Sequence, residues 1–269
     1  MPEGPETRRM ADKIGSALIN KKIDSINYFH PNLKGLNRTK VIIIEVTSRG
    51  KAVVIRFDNG MSIITHNQLY GRWTTNYLKT KIKHNRKLRI EFCVDNKAIR
   101  LWSATDIKYL KTMDENNHHY IKNLGPDVLD ETTTYDVIFK RLIDKKFKNR
   151  NLAGLLLNQN FIAGLGNYLR SEILFYSKIM YDKKPKDLNL DEKNTLSKNI
   201  KDISIRSYKQ KGKTLFEDDL MLKYLDSSVK RRRFMVFARK NLRCFICNSK
   251  IKKEYISSRR IYYCTVCQR

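Results

Sequence analysis

Four cysteines near the carboxy-terminal end carry the clearest chemistry in this 269-residue chain. Cys244 and Cys247 form one C-x2-C pair, Cys264 and Cys267 a second, with sixteen residues between the pairs. Each pair turns back two thiolates at tetrahedral spacing. Two such pairs close a four-sulfur Zn2+ site with no position left for water, so the metal it implies is structural. Two disulfides are the other reading of the spacing, which a reducing cell interior disfavours. Cys93, in the apolar run Arg89-Ile90-Glu91-Phe92-Cys93-Val94, reads as a small buried side chain.

The amino terminus holds a second constellation. Met1-Pro2 is a context in which the initiator Met is removed, which exposes a secondary amine. An α-amino group titrates near pH ~7.7–8.0, so a useful fraction is nucleophilic at neutral pH. Attack of that amine on an anomeric carbon gives an iminium, the Schiff-base route of covalent catalysis. Glu3 and Glu6 would supply proton transfer beside it. The same residues suit the first turn of a helix, where Pro and Glu are favoured without any chemistry.

The elements that must position these groups change character along the chain. Val41–Thr47, Ala52–Phe57, Met61–Thr65, Arg86–Val94 and Ala98–Trp102 read as strands, with hairpin turns at Asp58-Asn59-Gly60 and Asp95-Asn96. They imply an antiparallel sandwich or barrel. Pro5–Asn20 breaks the pattern, because Met10, Ile14, Ala17 and Leu18 recur at helical spacing. From Tyr109 to Asp130 the chain is polar, with Asn116-Asn117-His118-His119 and a Gly125-Pro126 break. This reads as a linker whose histidines are solvated. Helical patterns follow at Tyr135–Lys145, Leu152–Gln159, Gly166–Tyr176 and Asp191–Lys209. Arg170 and Glu172 read as an ordinary pair on a helix face.

Charge narrows the partner. Fifty-five Lys and Arg against 27 Asp and Glu leave +28, a self-repulsion that a polyanion relieves, and the usual polyanion is nucleic acid. Thirteen basic residues fall in 230–269, with Glu254 alone opposing them, so the cysteine-bearing segment should present a phosphate-binding face. The chain has no apolar run of eighteen residues and no signal-peptide core at Met1–Met10. An intracellular location away from the membrane is expected. Cytoplasm, nucleoid and nucleus are not distinguished.

Four separated motifs together resemble the Fpg/Nei family of DNA glycosylases, in that family's order. They are Pro2-Glu3-Gly4-Pro5-Glu6, Arg49-Gly50-Lys51 on a hairpin, the segment from Gln159 to Arg170 (QNFIAGLGNYLR), and the C-x2-C-x16-C-x2-C ending. The resemblance implies an α+β chain. Its parts would be an antiparallel β-sandwich with an N-terminal helix (1–115), a linker (116–130), a helix–two-turn–helix domain (131–228) and a zinc finger (229–269). It implies that Pro2 is the nucleophile, that Glu3 assists base release and opening of the deoxyribose ring, and that Glu6 is a second carboxylate near the lesion. Lys51 would contact the lesion's phosphate, and Asn167 and the finger's Arg259, with Arg260 adjacent, would bind phosphate. His66-Asn67-Gln68-Leu69-Tyr70-Gly71 is similar to the endonuclease VIII branch, where Gln68, Leu69 and Tyr70 would fill the gap left by a flipped base.

The implied enzyme is a bifunctional glycosylase and abasic-site lyase of base excision repair, which cleaves the strand by β- or β,δ-elimination. It would act as a monomer on oxidised pyrimidines and further-oxidised purine products in damaged DNA, duplex and also single-stranded or bubble. It needs no redox cofactor or catalytic metal, only structural Zn2+. An oxidised-guanine glycosylase of the same family and a non-catalytic zinc-containing nucleic-acid binder are the competing readings. The free N-terminal proline discriminates against the binder.

Overall fold

The computed structural model describes residues 2–36, 41–215 and 233–269. They form two compact units that divide between Asn123 and Leu124. The boundary expected at 228/229, and the basic residues Lys230, Arg231 and Arg232, lie outside the described residues. Among the described residues no helix is long and apolar enough to cross a membrane.

The first unit begins with helix α1 (Gly4–Leu18), whose apolar spacing buries Ala11, Ile14 and Leu18. Eight strands follow: β1 (Ser25–Tyr28), β2 (Ile43–Arg49), β3 (Ala52–Phe57), β4 (Met61–His66), β5 (Arg72–Tyr77), β6 (Leu88–Val94), β7 (Lys97–Trp102) and β8 (Asp106–Lys111). They form two antiparallel four-stranded sheets, ordered β1-β6-β7-β5 and β2-β3-β4-β8. Val53, Ile55 and Phe57 of β3 share one core with Ile90 and Phe92 of β6 and with the buried stripe of α1.

The hairpin expectations hold, and Asp95 and Asn96 both sit at positive φ, as a two-residue turn between paired strands requires. The sequence reading misses β1, β5 and β8, three of the four edge strands, while the fourth, β2, carries enough β-branched sequence to be read. An edge strand packs on fewer neighbours and carries less apolar sequence, so its period-2 signal is weak.

The polar stretch after β8 is not a solvated linker at its start. Two 3-10 turns, Thr112–Asn117 and Ile121–Asn123, lie there. Ile121 packs with Ala52, Val54 and Ile64 on the face of β3 and β4 opposite the main core. Glu115 and His118 are buried. Glu115 takes two hydrogen bonds from Arg56, at 2.8 and 2.6 Å, and one from Ser62 at 2.6 Å. Burial alone would raise its pKa, but these bonds outweigh it and hold the carboxyl below the usual range. Paired charge lets a polar sequence cover a sheet, which composition does not disclose.

The second unit contains α2 (Tyr135–Ile143), α3 (Leu152–Leu155), α4 (Asn167–Tyr176), α5 (Leu190–Lys209) and the hairpin β9 (Lys252–Ile256) with β10 (Arg259–Tyr263). Helix α3 is one turn rather than the expected Leu152–Gln159. Asn158 and Gln159 instead bond the loop: Gln159 Nε2 donates to Leu157 O and Leu165 O, and its Oε1 accepts from Gly164 N at 3.1 Å. Asn151 caps α3 and Asn189 caps α5 through their side chains. The β9–β10 hairpin is not a separate body, because Ile261 joins the helical core and Tyr262 packs with Phe175 of α4.

Candidate active site and nucleic-acid interface

In the first unit, the start of α1 is held by backbone bonds. Glu3 is the N-cap and is buried. Its carbonyl accepts from Thr7 N at 2.9 Å and Thr7 Oγ1 at 3.0 Å, while its N–H donates to Glu6 Oε2 at 3.2 Å. Glu6 Oε1 accepts from Arg9 at 3.0 Å. The carboxylate of Glu6 therefore steadies the Glu3 backbone, as in a capping box. Pro2, partly exposed, immediately precedes this fixed turn.

Lys51 occupies the two-residue turn between β2 and β3, where Arg49 pairs with Ala52. Gly50, at φ +60°, is the first turn residue, the position that favours glycine in such hairpins. The Lys51 N–H donates to the phenol of Tyr120 at 2.9 Å, so the segment covering the sheet also anchors this turn. Ala52 pairs with His66, and His66 with Asp106. That register brings the Lys51 turn and the loop after β4 to one end of the sheet. Burial holds the His66 imidazole below its ordinary pKa, although Asp106 opposes the shift.

The loop after β4 has rigid ends and an open tip. Asn67 is buried and its Nδ2 contacts Met10 Sδ of α1 at 3.3 Å. Gly71 N donates to Asn67 O at 2.7 Å, and a Cβ on Gly71 would lie 2.6 Å from that oxygen, so only glycine closes the turn. Gln68 takes positive φ and accepts from Thr105 Oγ1 at 2.9 Å. Tyr70 O is bonded by Arg86. Leu69 and Tyr70 stay 68% and 69% exposed, so they do not pack back on the sandwich. Two large side chains are thus held out on a loop whose ends are pinned.

In the second unit, Asn167 is the first residue of α4, after Gly166 at the N-cap. Its Oδ1 accepts from Arg170 Nη2 at 2.8 Å, which orients the amide. Arg170 and Glu172 are not on an exposed helix face, because both are fully buried. Arg170 also donates to Ala153 O at 2.8 Å and to Arg260 O at 2.9 Å. Glu172 accepts from the N–H groups of Met235, Val236 and Phe237 and from the Thr214 hydroxyl. Burial pushes its carboxyl pKa up against those four bonds. The sequence reading missed both residues. The available signal was weak: α4 offers almost no polar face to which they could belong.

Arg259 and Arg260 are exposed at the start of β10, after a turn in which Ser257 and Ser258 take positive φ. Beyond them the four cysteine sulfurs lie within 4.8 Å of one another. Cys247 and Cys264 are 3.4 Å apart, and Cys244 and Cys267 3.8 Å. Zn–S bonds of about 2.3 Å set a tetrahedral sulfur–sulfur edge of about 3.8 Å, so the set fits Zn2+. Gln268 ties the knuckle to the helical body, accepting from Cys264 N and donating to Ile179 O, each at 2.9 Å.

Residues 1–110 match the formamidopyrimidine-DNA glycosylase N-terminal domain, and 124–218 match the H2TH domain of the same enzyme. Endonuclease 8 of Klebsiella pneumoniae is 38% identical over 270 residues, and endonuclease 8 of Escherichia coli 37% over 273, each covering both chains in full. Formamidopyrimidine DNA glycosylase of Lactococcus lactis, solved non-covalently bound to DNA containing an AP site, has the same fold. Its TM-score is 0.80 at 20% identity, over 99% of each chain. The chain belongs to the formamidopyrimidine-DNA glycosylase family, with endonuclease 8 among its relatives.

Proposed function

We propose that this protein is a bifunctional DNA glycosylase and AP lyase of base excision repair, working through a Schiff base on Pro2. Family membership and full-length similarity to endonuclease 8 support the activity. The observation that carries the site is the buried Glu3, whose N–H and C=O are both engaged beside the residue that bears the terminal amine.

Once Met1 is removed, the Pro2 amine attacks C1′ of the damaged nucleotide. The base departs with the electron pair of the glycosidic bond. The Pro2 nitrogen gives up its proton, which the departing base takes. Glu3 delivers a proton to the ring oxygen, C1′–O4′ breaks, and the restored nitrogen lone pair completes the iminium. Loss of the C2′ proton then expels the 3′-phosphate, and water releases the sugar from Pro2. Glu6 positions Glu3. Lys51 holds the lesion's phosphate, and Asn167 and Arg259 bind phosphates, Arg259 with its planar fork. Gln68, Leu69 and Tyr70 occupy the vacated stack.

Oxidised pyrimidines and further-oxidised purine products are the favoured bases, on the likeness of Gln68-Leu69-Tyr70 to the endonuclease VIII branch. Bound zinc would cross-link Cys244, Cys247, Cys264 and Cys267 and hold the hairpin that carries Arg259. The protein acts as a monomer on damaged DNA, including single-stranded or bubble forms.

Borohydride trapping on an oligonucleotide with one abasic site tests the reading, using protein confirmed to lack Met1. A covalent adduct mapped to Pro2 is expected. Tight binding without an adduct would overturn the enzyme in favour of a non-catalytic binder.

A further inference from the structure

The first unit gathers a second set of groups with metal-binding chemistry, apart from the cysteines. Asp106 opens β8, while His118 and His119 follow the 3-10 turn that lies over the same sheet. One ligand atom from each of the three lies within 4.8 Å of the others. His119 Nε2 is 3.3 Å from Asp106 Oδ2, and the two imidazole rings pack with centroids 4.3 Å apart.

His118 Nε2 is the telling atom. The residue is only 6% exposed, and this nitrogen has neither solvent contact nor a hydrogen-bond partner. An orphaned buried polar atom calls for an occupant. Burial, and then the neighbouring His119, hold the His118 imidazole below its ordinary pKa. The carboxylate of Asp106, mostly buried at 14% side-chain exposure, supplies the negative charge a cation needs.

We propose that Asp106, His118 and His119 form an accessory site for a divalent transition ion of the zinc type. Two imidazoles and one carboxylate suit zinc, copper or nickel rather than magnesium or calcium, which want oxygen ligands. Metal bonds of about 2.0–2.2 Å require the donors to close in from their present spacing. His119 can move, because its side chain is 67% exposed. Bonding through Nε2 shifts the His118 ring proton to Nδ1, and the long 3.3 Å contact from Tyr120 N–H is given up in exchange. Three protein ligands leave a coordination position for water.

The test uses the full-length protein with its cysteine site already loaded with zinc, then desalted and titrated with zinc chloride by calorimetry, alongside metal analysis. The wild type should take up one further equivalent per chain. Asp106→Asn and His119→Ala should each weaken that uptake at least tenfold, and His119→Ala keeps the fold because the side chain is mostly exposed. No second equivalent in the wild type would overturn the proposal. So would a second equivalent that survives unchanged in both variants, since the ion would then sit elsewhere.

Discussion

Arg170 Nη2 bonds the side-chain oxygen of Asn167 at 2.8 Å and the main-chain carbonyl of Arg260 at 2.9 Å. One buried guanidinium thus sets the amide at the start of α4 and the strand that carries Arg259. With Oδ1 engaged, the Asn167 amide presents its NH2 as the donor, the end suited to a phosphate oxygen.

Arg170→Lys should therefore weaken DNA binding although residue 170 is buried away from solvent. An ammonium cannot span the carbonyls that the planar fork reaches. A stability loss of about 1.5–3 kcal/mol, the worth of one hydrogen bond to a charged group, is expected in thermal or urea melts. Asn167→Ala should weaken binding as well, and should also lower the melting temperature, because it takes an acceptor from the buried Arg170 guanidinium, whose Nη2 keeps only Arg260 O. A folded Arg170→Lys protein that binds DNA as the wild type does would dissociate the two residues.

Glu3→Gln separates the two chemical steps. Excision of a damaged base should fall by about a hundredfold or more, the scale of a lost general acid. Cleavage of a ready-made abasic site should fall far less, because that sugar has already lost its base and interconverts with its open-chain aldehyde, which needs no proton on the ring oxygen. Single-turnover rates on the two oligonucleotides give the comparison, and equal retention of both activities would remove Glu3 from the role.

Leu69→Ala and Tyr70→Ala test the wedge against a packing role. Both side chains are about two-thirds exposed, so stability should stay within about 0.5 kcal/mol. A core position would instead cost about 2–5 kcal/mol. Excision from duplex DNA should fall, and more than excision from single strands, where no stack has to be refilled.

Cys264→Ser should lose the finger metal and unsettle the second unit, because structural zinc contributes its binding free energy to folding. Metal content should drop, the melting temperature should fall, and DNA affinity should weaken as Arg259 loses its anchored hairpin. Wild-type affinity in a metal-free variant would exclude the finger from binding.

Residue order alone determined a good deal here: the helix at Gly4–Leu18, strands β2, β3, β4, β6 and β7 with their hairpin turns, the long helices, and the pairing of cysteines into one four-sulfur set. These are local matters of apolar period, turn residues and spacing, and local signals survive in a one-dimensional string. Edge strands β1, β5 and β8 were not legible, because half their surface faces outward and their composition says so. Only the tertiary structure decided that Arg170 and Glu172 are buried anchors and that His118 lies with Asp106 and His119. It alone held Leu69 and Tyr70 out from the sandwich. A charged residue reads as a surface residue until its partners are known. Those partners stand far along the chain, as Met235, Val236 and Phe237 do from Glu172, and are brought near only by packing.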